Sequence, residues 1–214
     1  RSDDGQIPLQ LAAIYGHNAI AKYMLENNAD TSVQDSSGAT PLHEAVRYGN
    51  VEIAKALLNS GANVNARDNL GKTPLMLILP KDKTAEIYKL LITYRADLCQ
   101  KDMFGDTVLH TASMLNVGAS TFSVLINGGA DVDARNKEGV TPLAIAVQKN
   151  DFETVKLLTA AGADIHTQDT NGNSPLSIAL ASSSEMLEAV VNESNADLTD
   201  SNGNTPLHLA LLCD

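Results

Sequence analysis

The sequence predicts an all-α repeat solenoid, built from stacked helix–turn–helix units with projecting turn tips. Three observations carry this. A short motif, Thr40-Pro41-Leu42-His43-Glu44-Ala45-Val46, returns as Ile7-Pro8-Leu9-Gln10, Thr73-Pro74-Leu75, Thr107-Val108-Leu109-His110, Thr141-Pro142-Leu143, Ser174-Pro175-Leu176 and Thr205-Pro206-Leu207-His208. Its second position falls at 8, 41, 74, 108, 142, 175 and 206, so the steps are 33, 33, 34, 34, 33 and 31 residues; a near-fixed period in this range is the mark of a repeat architecture. Each period also holds two short apolar stripes at helical spacing. Neither stripe is long enough to be stable alone in water, so burial forces the units to stack.

Residues 35–65 show how one unit is specified. Asp35-Ser36-Ser37-Gly38 is a turn, in which the Asp side chain can bond its own backbone and Gly38 can take positive φ. Thr40 is a helix cap and Pro41 sits at the first helical position, where no donor is needed. Leu42, Ala45 and Val46 fall on one face of a short helix. Gly49-Asn50 breaks it, and Val51, Ile53, Ala54, Leu57 and Leu58 form the buried stripe of a second helix. Gly61 lies just past that helix, where a left-handed residue ends it. An extended return, residues 62–66, leads to the next turn.

The repeats then run 2–34, 35–67, 68–101, 102–135, 136–168, 169–199 and 200–214, the last incomplete, within one domain. Repeat 1 has Ile7 at the cap and Gln10 for His, with a second helix over 19–27. Repeat 3 has Met76 for His, and Pro80-Lys81-Asp82-Lys83 where an inter-helix glycine belongs, so its loop is expected to be reshaped. Repeat 4 has Val108 for Pro and an added residue at Asn116-Val117-Gly118. Repeat 5 carries Asn136 and Ala144. Repeat 6 carries Ser174, Ser177 and a shortened return. Repeat 7 stops after one helix and the chain begins at Arg1, from which the sequence is expected to continue in a longer parent. Repeats 6 and 7 are expected to fray first.

The Thr-Pro-Leu-His-x-Ala core, the Asp-x-x-Gly turn and the Gly-Ala-Asn-Val-Asn return resemble the ankyrin repeat, over the whole chain. The resemblance implies a binding scaffold without catalysis or cofactor, which engages a protein through its turn tips and first helices on a concave face. It also implies that His43, His110 and His208 are structural, each bonding a neighbouring loop and holding Thr40, Thr107 and Thr205 in place. Asn65 matches a position at which some ankyrin repeats are hydroxylated; the preferred reading is an Asn that bonds backbone within its loop.

Composition narrows the function classes. The chain has 214 residues and a net charge of −11. Residues 108–214 hold 4 Lys/Arg against 13 Asp/Glu, net −9, whereas residues 1–107 are close to balance at net −2. That argues against nucleic acid, whose phosphates call for Lys and Arg, and fits a partner with a basic surface toward the C-terminal half, or plain solubility. No apolar run approaches the roughly 18–20 residues of a membrane helix. Two cysteines, Cys99 and Cys213, more than three repeats apart, fit a reducing, intracellular setting. A monomer is expected. Asn192-Glu193-Ser194 is a glycosylation triplet of the kind that arises by chance.

No catalytic constellation stands out. There is no His-x-x-x-His, Cys-x-x-Cys or Glu-x-x-His spacing for a metal. The glycines recur once per turn, so they are structural, and the turns lack the acidic ladder of a calcium loop. Function is therefore sought on the surface. The two residues between Asp and Gly of each turn should be wet. They are polar in repeats 1, 2, 5 and 6, but Asn69-Leu70 in repeat 3 and Met103-Phe104 in repeat 4. Exposed apolar groups that cluster mark interfaces, and Met and aromatic side chains make good anchors. The expected docking face is the concave side of repeats 2 to 4. Tyr48, Leu70, Met103, Phe104 and Met114 are its anchors, Tyr15 an added aromatic, and Arg47, Lys72 and Lys81 its rim. The main reading is a protein-binding scaffold or adaptor; the alternative is the targeting or regulatory arm of a larger enzyme, channel or effector.

Overall fold

The computed structural model describes residues 7–78 and 84–212. They form twelve α-helices: α1 (Pro8–Tyr15), α2 (Asn18–Glu26), α3 (Pro41–Arg47), α4 (Val51–Asn59), α5 (Thr84–Thr93), α6 (Val108–Leu115), α7 (Ala119–Asn127), α8 (Pro142–Gln148), α9 (Phe152–Ala160), α10 (Pro175–Leu180), α11 (Ser184–Val190) and α12 (Pro206–Leu212). No strand occurs among the described residues. The architecture is the all-α repeat solenoid that the period demanded. The chain packs as two compact bodies, one running to Met103 and the other from Phe104 onward.

In the first body, α1, α3 and a 3-10 turn at Pro74–Leu77 pack in one row, and α2, α4 and α5 in another. In the second, α6, α8 and α10 make the first row, and α7, α9 and α11 the second. A first helix is thus pressed from both sides by its row and from behind by its own second helix. That is why α3 is buried from Pro41 through Val46, and α8 from Pro142 through Val147, rather than on one face as helical spacing suggested. The second helices keep a solvated side: α4 buries Val51, Ile53, Ala54, Leu57 and Leu58. Helix α2 begins and ends one residue before the expected 19–27.

The second helices α2, α4, α5, α7 and α9 end in one way, whereas α11 runs into an extended Val191. After α4, Gly61 adopts φ +85°, its N–H bonds the Leu58 carbonyl at 3.0 Å, and Ala62 N–H bonds the Leu57 carbonyl at 3.0 Å. The two bonds satisfy carbonyls that the helix leaves over. Gly129 and Gly162 repeat the geometry, whereas Asn28 and Arg95 take the same left-handed place without being glycine.

Repeat 3 departs from its siblings. Its first helix is a single 3-10 turn, with Met76 N–H bonded to the Thr73 carbonyl at 3.0 Å. The reshaped loop expected at Pro80-Lys81-Asp82-Lys83 lies outside the described residues.

Candidate functional site

The motif histidines are internal struts. Thr40 N–H donates to His43 Nδ1 at 3.0 Å, and the Thr40 hydroxyl lies 2.8 Å from the same nitrogen. Because Nδ1 accepts, the ring proton sits on Nε2, which donates to the Lys72 carbonyl of the next repeat at 3.1 Å. His110 does the same with Thr107 and with the Val140 carbonyl at 3.0 Å. Both rings are fully buried. Burial holds His43 below the ordinary imidazole range, so it stays neutral, as a ring that must both accept and donate requires. His208 repeats the contact with Thr205 but is exposed.

Gln10 does both parts of this work without being histidine, and Ser177 accepts the cap N–H alone. Gln10 Oε1 accepts from Ile7 N–H at 3.0 Å, and its Nε2 donates to the Ala39 carbonyl at 2.7 Å. Ser177 Oγ accepts from Ser174 N–H at 2.8 Å. Only their position in the period could have flagged them.

Asn65 reaches beyond its own loop, contrary to the expectation that it bonds within it. Its Oδ1 accepts from Asp97 N–H, in the following return, at 2.8 Å. The equivalent Asp133 accepts from Asp164 N–H at 2.7 Å. Other links between neighbouring repeats come from the residue just before each turn. Arg67 bonds Gln100 Oε1 at 2.8 Å and the Lys101 carbonyl at 2.9 Å, and Arg135 bonds the Gln168 carbonyl at 2.8 Å.

The tips are joined by single backbone bonds. Within the first body, Asn69 N–H donates to the Ser37 carbonyl at 2.9 Å and Met103 N–H to the Leu70 carbonyl at 2.8 Å. Within the second, Lys137 N–H donates to the Phe104 carbonyl at 3.0 Å and Thr170 N–H to the Glu138 carbonyl at 2.9 Å. The first body therefore sets Leu70 and Met103 side by side, 46% and 47% exposed. Tyr15 and Tyr48 occupy equivalent places at the ends of α1 and α3, and both are exposed. The Tyr15 ring lies 6.1 Å from that of His17. In the second body Phe104 is 54% exposed at a tip, and Met114 is exposed near the end of α6. Met114 matches the position of Arg47, not that of Tyr48.

Of the expected rim cations, Arg47 and Lys72 are engaged in ion pairs. Arg47 lies 3.5 Å from the buried Glu44 carboxylate, and Lys72 4.0 Å from the buried Asp102 carboxylate. Both are half-buried, held to internal acids that the tight packing leaves in need of a counter-charge. Lys81 lies outside the described residues. The second body adds a polar cleft of about 520 Å³ lined by Arg135, Asp164, His166, Asp169 and Asp200, and an apolar groove of about 280 Å³ lined by Leu187, Val191, Leu207 and Ala210. Among the described residues no group of three His, Cys, Asp or Glu could hold a metal ion, and no helix is long and apolar enough to cross a membrane.

Capped helix pairs, stacked at a 33-residue step and tied tip to tip, define a repeat protein of the kind that serves as a protein-interaction module. The family model described as ankyrin repeats (3 copies) matches residues 1–68, 75–169 and 143–214. The chain belongs to the ankyrin-repeat family. A stretch of 63 residues, 29% of the chain, is 40% identical to the transient receptor potential cation channel subfamily A member 1 homolog of Caenorhabditis elegans, and the chain spans 5% of that protein's length.

Proposed function

We propose that the chain is a binding scaffold that docks a protein partner without catalysis of its own, and that in the first body the anchors are Tyr48, Leu70 and Met103, flanked by Tyr15. The observation that carries this is the apolar pair at the tips. Leu70 and Met103 stand where sibling repeats place Ser37 and Lys137 or Thr170, and about half of each is exposed although it gains nothing from water. Phe104 and Met114 are the corresponding candidates of the second body. Arg47 and Lys72, each held in an ion pair, are the rim of this face. A partner carrying basic residues finds its match in the second body, where Asp164, Asp169 and Asp200 line one cleft.

A Leu70→Asp, Met103→Asp double variant tests the reading. Crosslinking is expected to capture a protein with the wild-type chain and to lose it with the variant, while circular dichroism shows the variant still folded. Equal capture by both would refute the assignment of these tips.

A second reading is the regulatory arm of a larger protein. The 63-residue stretch that is 40% identical to a cation channel subfamily homolog favours it. Such an arm would still act by binding, and would be joined to its activity through sequence outside these 214 residues.

A further inference from the structure

Four features set repeat 3 apart from most of its siblings. Thr73 is buried, and its hydroxyl has no hydrogen-bond partner among the described residues. Met76 stands where His43 and His110 hold the cap, and the helix there is one 3-10 turn. Tyr88, on α5, is fully buried with its hydroxyl also unpartnered. Its equivalents on the other second helices are Ala21, Ala54, Phe122 and Val155, all buried and none with a hydroxyl. Arg95 takes φ +62° at the helix end where Gly61, Gly129 and Gly162 stand in other repeats and repeat 1 has Asn28, a residue that tolerates the left-handed region better than Arg. Among the described residues the two other unpartnered buried side-chain atoms, Ser113 Oγ and Asp151 Oδ2, belong to the second body and to different repeats.

An unmet buried hydroxyl and a left-handed side chain are both costs that vanish when the segment opens to water. In a repeat stack, stability is close to a sum of local terms, so costs gathered in one repeat lower the opening energy there rather than everywhere. We propose that the 3-10 turn at Pro74–Leu77 and α5 form a release point, which opens locally while α3 and α4 stay folded. Opening would carry Leu70 and Lys72 away from the tips, so a partner docked on Leu70 and Met103 would hold the repeat closed. That consequence rests on the docking reading above; the opening itself does not.

Hydrogen exchange of the free 214-residue chain separates the two, since no partner takes part. Amides of α5 are expected to exchange at least about tenfold faster than those of α4. A Tyr88→Phe, Arg95→Gly variant, which installs what Phe122 and Gly61 already do elsewhere, should slow α5 by about tenfold and leave α9 unchanged. The proposal is overturned if wild-type α5 is as protected as α4, or if the variant slows α4, α5 and α9 alike or slows none of them. Tyr88→Phe alone serves as the conservative control, with a smaller slowing confined to α5.

Discussion

At the residue scale, Gln10 and His43 meet one requirement with different chemistry: accept the cap N–H and donate to the next repeat. His43 can do so only while neutral. Burial lowers its folded pKa below the ordinary 6.5, so the unfolded chain takes up a proton first as the pH falls. The stability His43 contributes is therefore complete above about pH 6.5 and is lost progressively below it. Glu44 has the opposite sign: burial raises its pKa above 4.5, so its contribution is favourable at low pH and fades as the pH rises through that raised value. His43→Gln, copying Gln10, should remove part of the loss below pH 6.5; denaturant midpoints of both proteins at pH 7.5 and 5.5 check it, and an unchanged difference would refute it. The caps give a second contrast. Thr40→Val removes a bonded hydroxyl and should cost about 1–2 kcal/mol, whereas Thr73→Val removes an unbonded one and should be neutral or stabilise by about 1 kcal/mol. Thermal or urea unfolding of the two variants decides it.

At the scale of the element, glycines with the same backbone sign do different work. Gly105 turns a tip at φ +83°, and a Cβ there would lie 2.7 Å from Lys137 N, which is backbone that cannot step aside. Gly129 ends α7 at φ +91° with open space around it. Gly129→Ala should cost about 1–2 kcal/mol for its dihedral alone, and Gly105→Ala about 3 kcal/mol or more because the tip must also move. Comparable urea midpoints for the two would show that the tips tolerate separation. These elements also show what was legible in the sequence. Thr40, Pro41 and Gly61 announce a helix start and a helix end because their chemistry is local, and the period then multiplies the signal. The cross-repeat partners of Asn65, Arg67 and Lys72 were not legible, since a period says which positions are equivalent but not which atoms of the next repeat they reach. The exposure of Leu70 and Met103 could be read from position; the pairing of Arg47 with Glu44 could not, because it depends on Glu44 being sealed inside a helix buried all round. The 3-10 turn at Pro74 was hidden for a related reason: the loss of His at Met76 was visible, but its cost to Thr73 appears only once Thr73 is buried.

For the whole molecule, charge is the property that differs most along the chain. Residues 108–214 carry net −9 and residues 1–107 net −2. Like charges held in a compact body repel, and they do so more than in an expanded chain. The local trace of this is Asp133: burial first, then Asp164 and Asp131 beside it, push its carboxyl above the ordinary range. Salt screens such repulsion, with a Debye length of about 30 Å at 0.01 M and about 10 Å at 0.1 M. Raising the ionic strength across that range should therefore protect the second body more than the first. Backbone exchange of α9 is expected to slow relative to that of α4 as salt is added. The effect should be matched by sodium chloride and potassium chloride, because screening depends on charge and not on ion identity. Equal responses of α4 and α9 would mean that the acidic side chains are spaced widely enough for water alone to damp them, and the C-terminal half would then carry its charge at no cost to its fold.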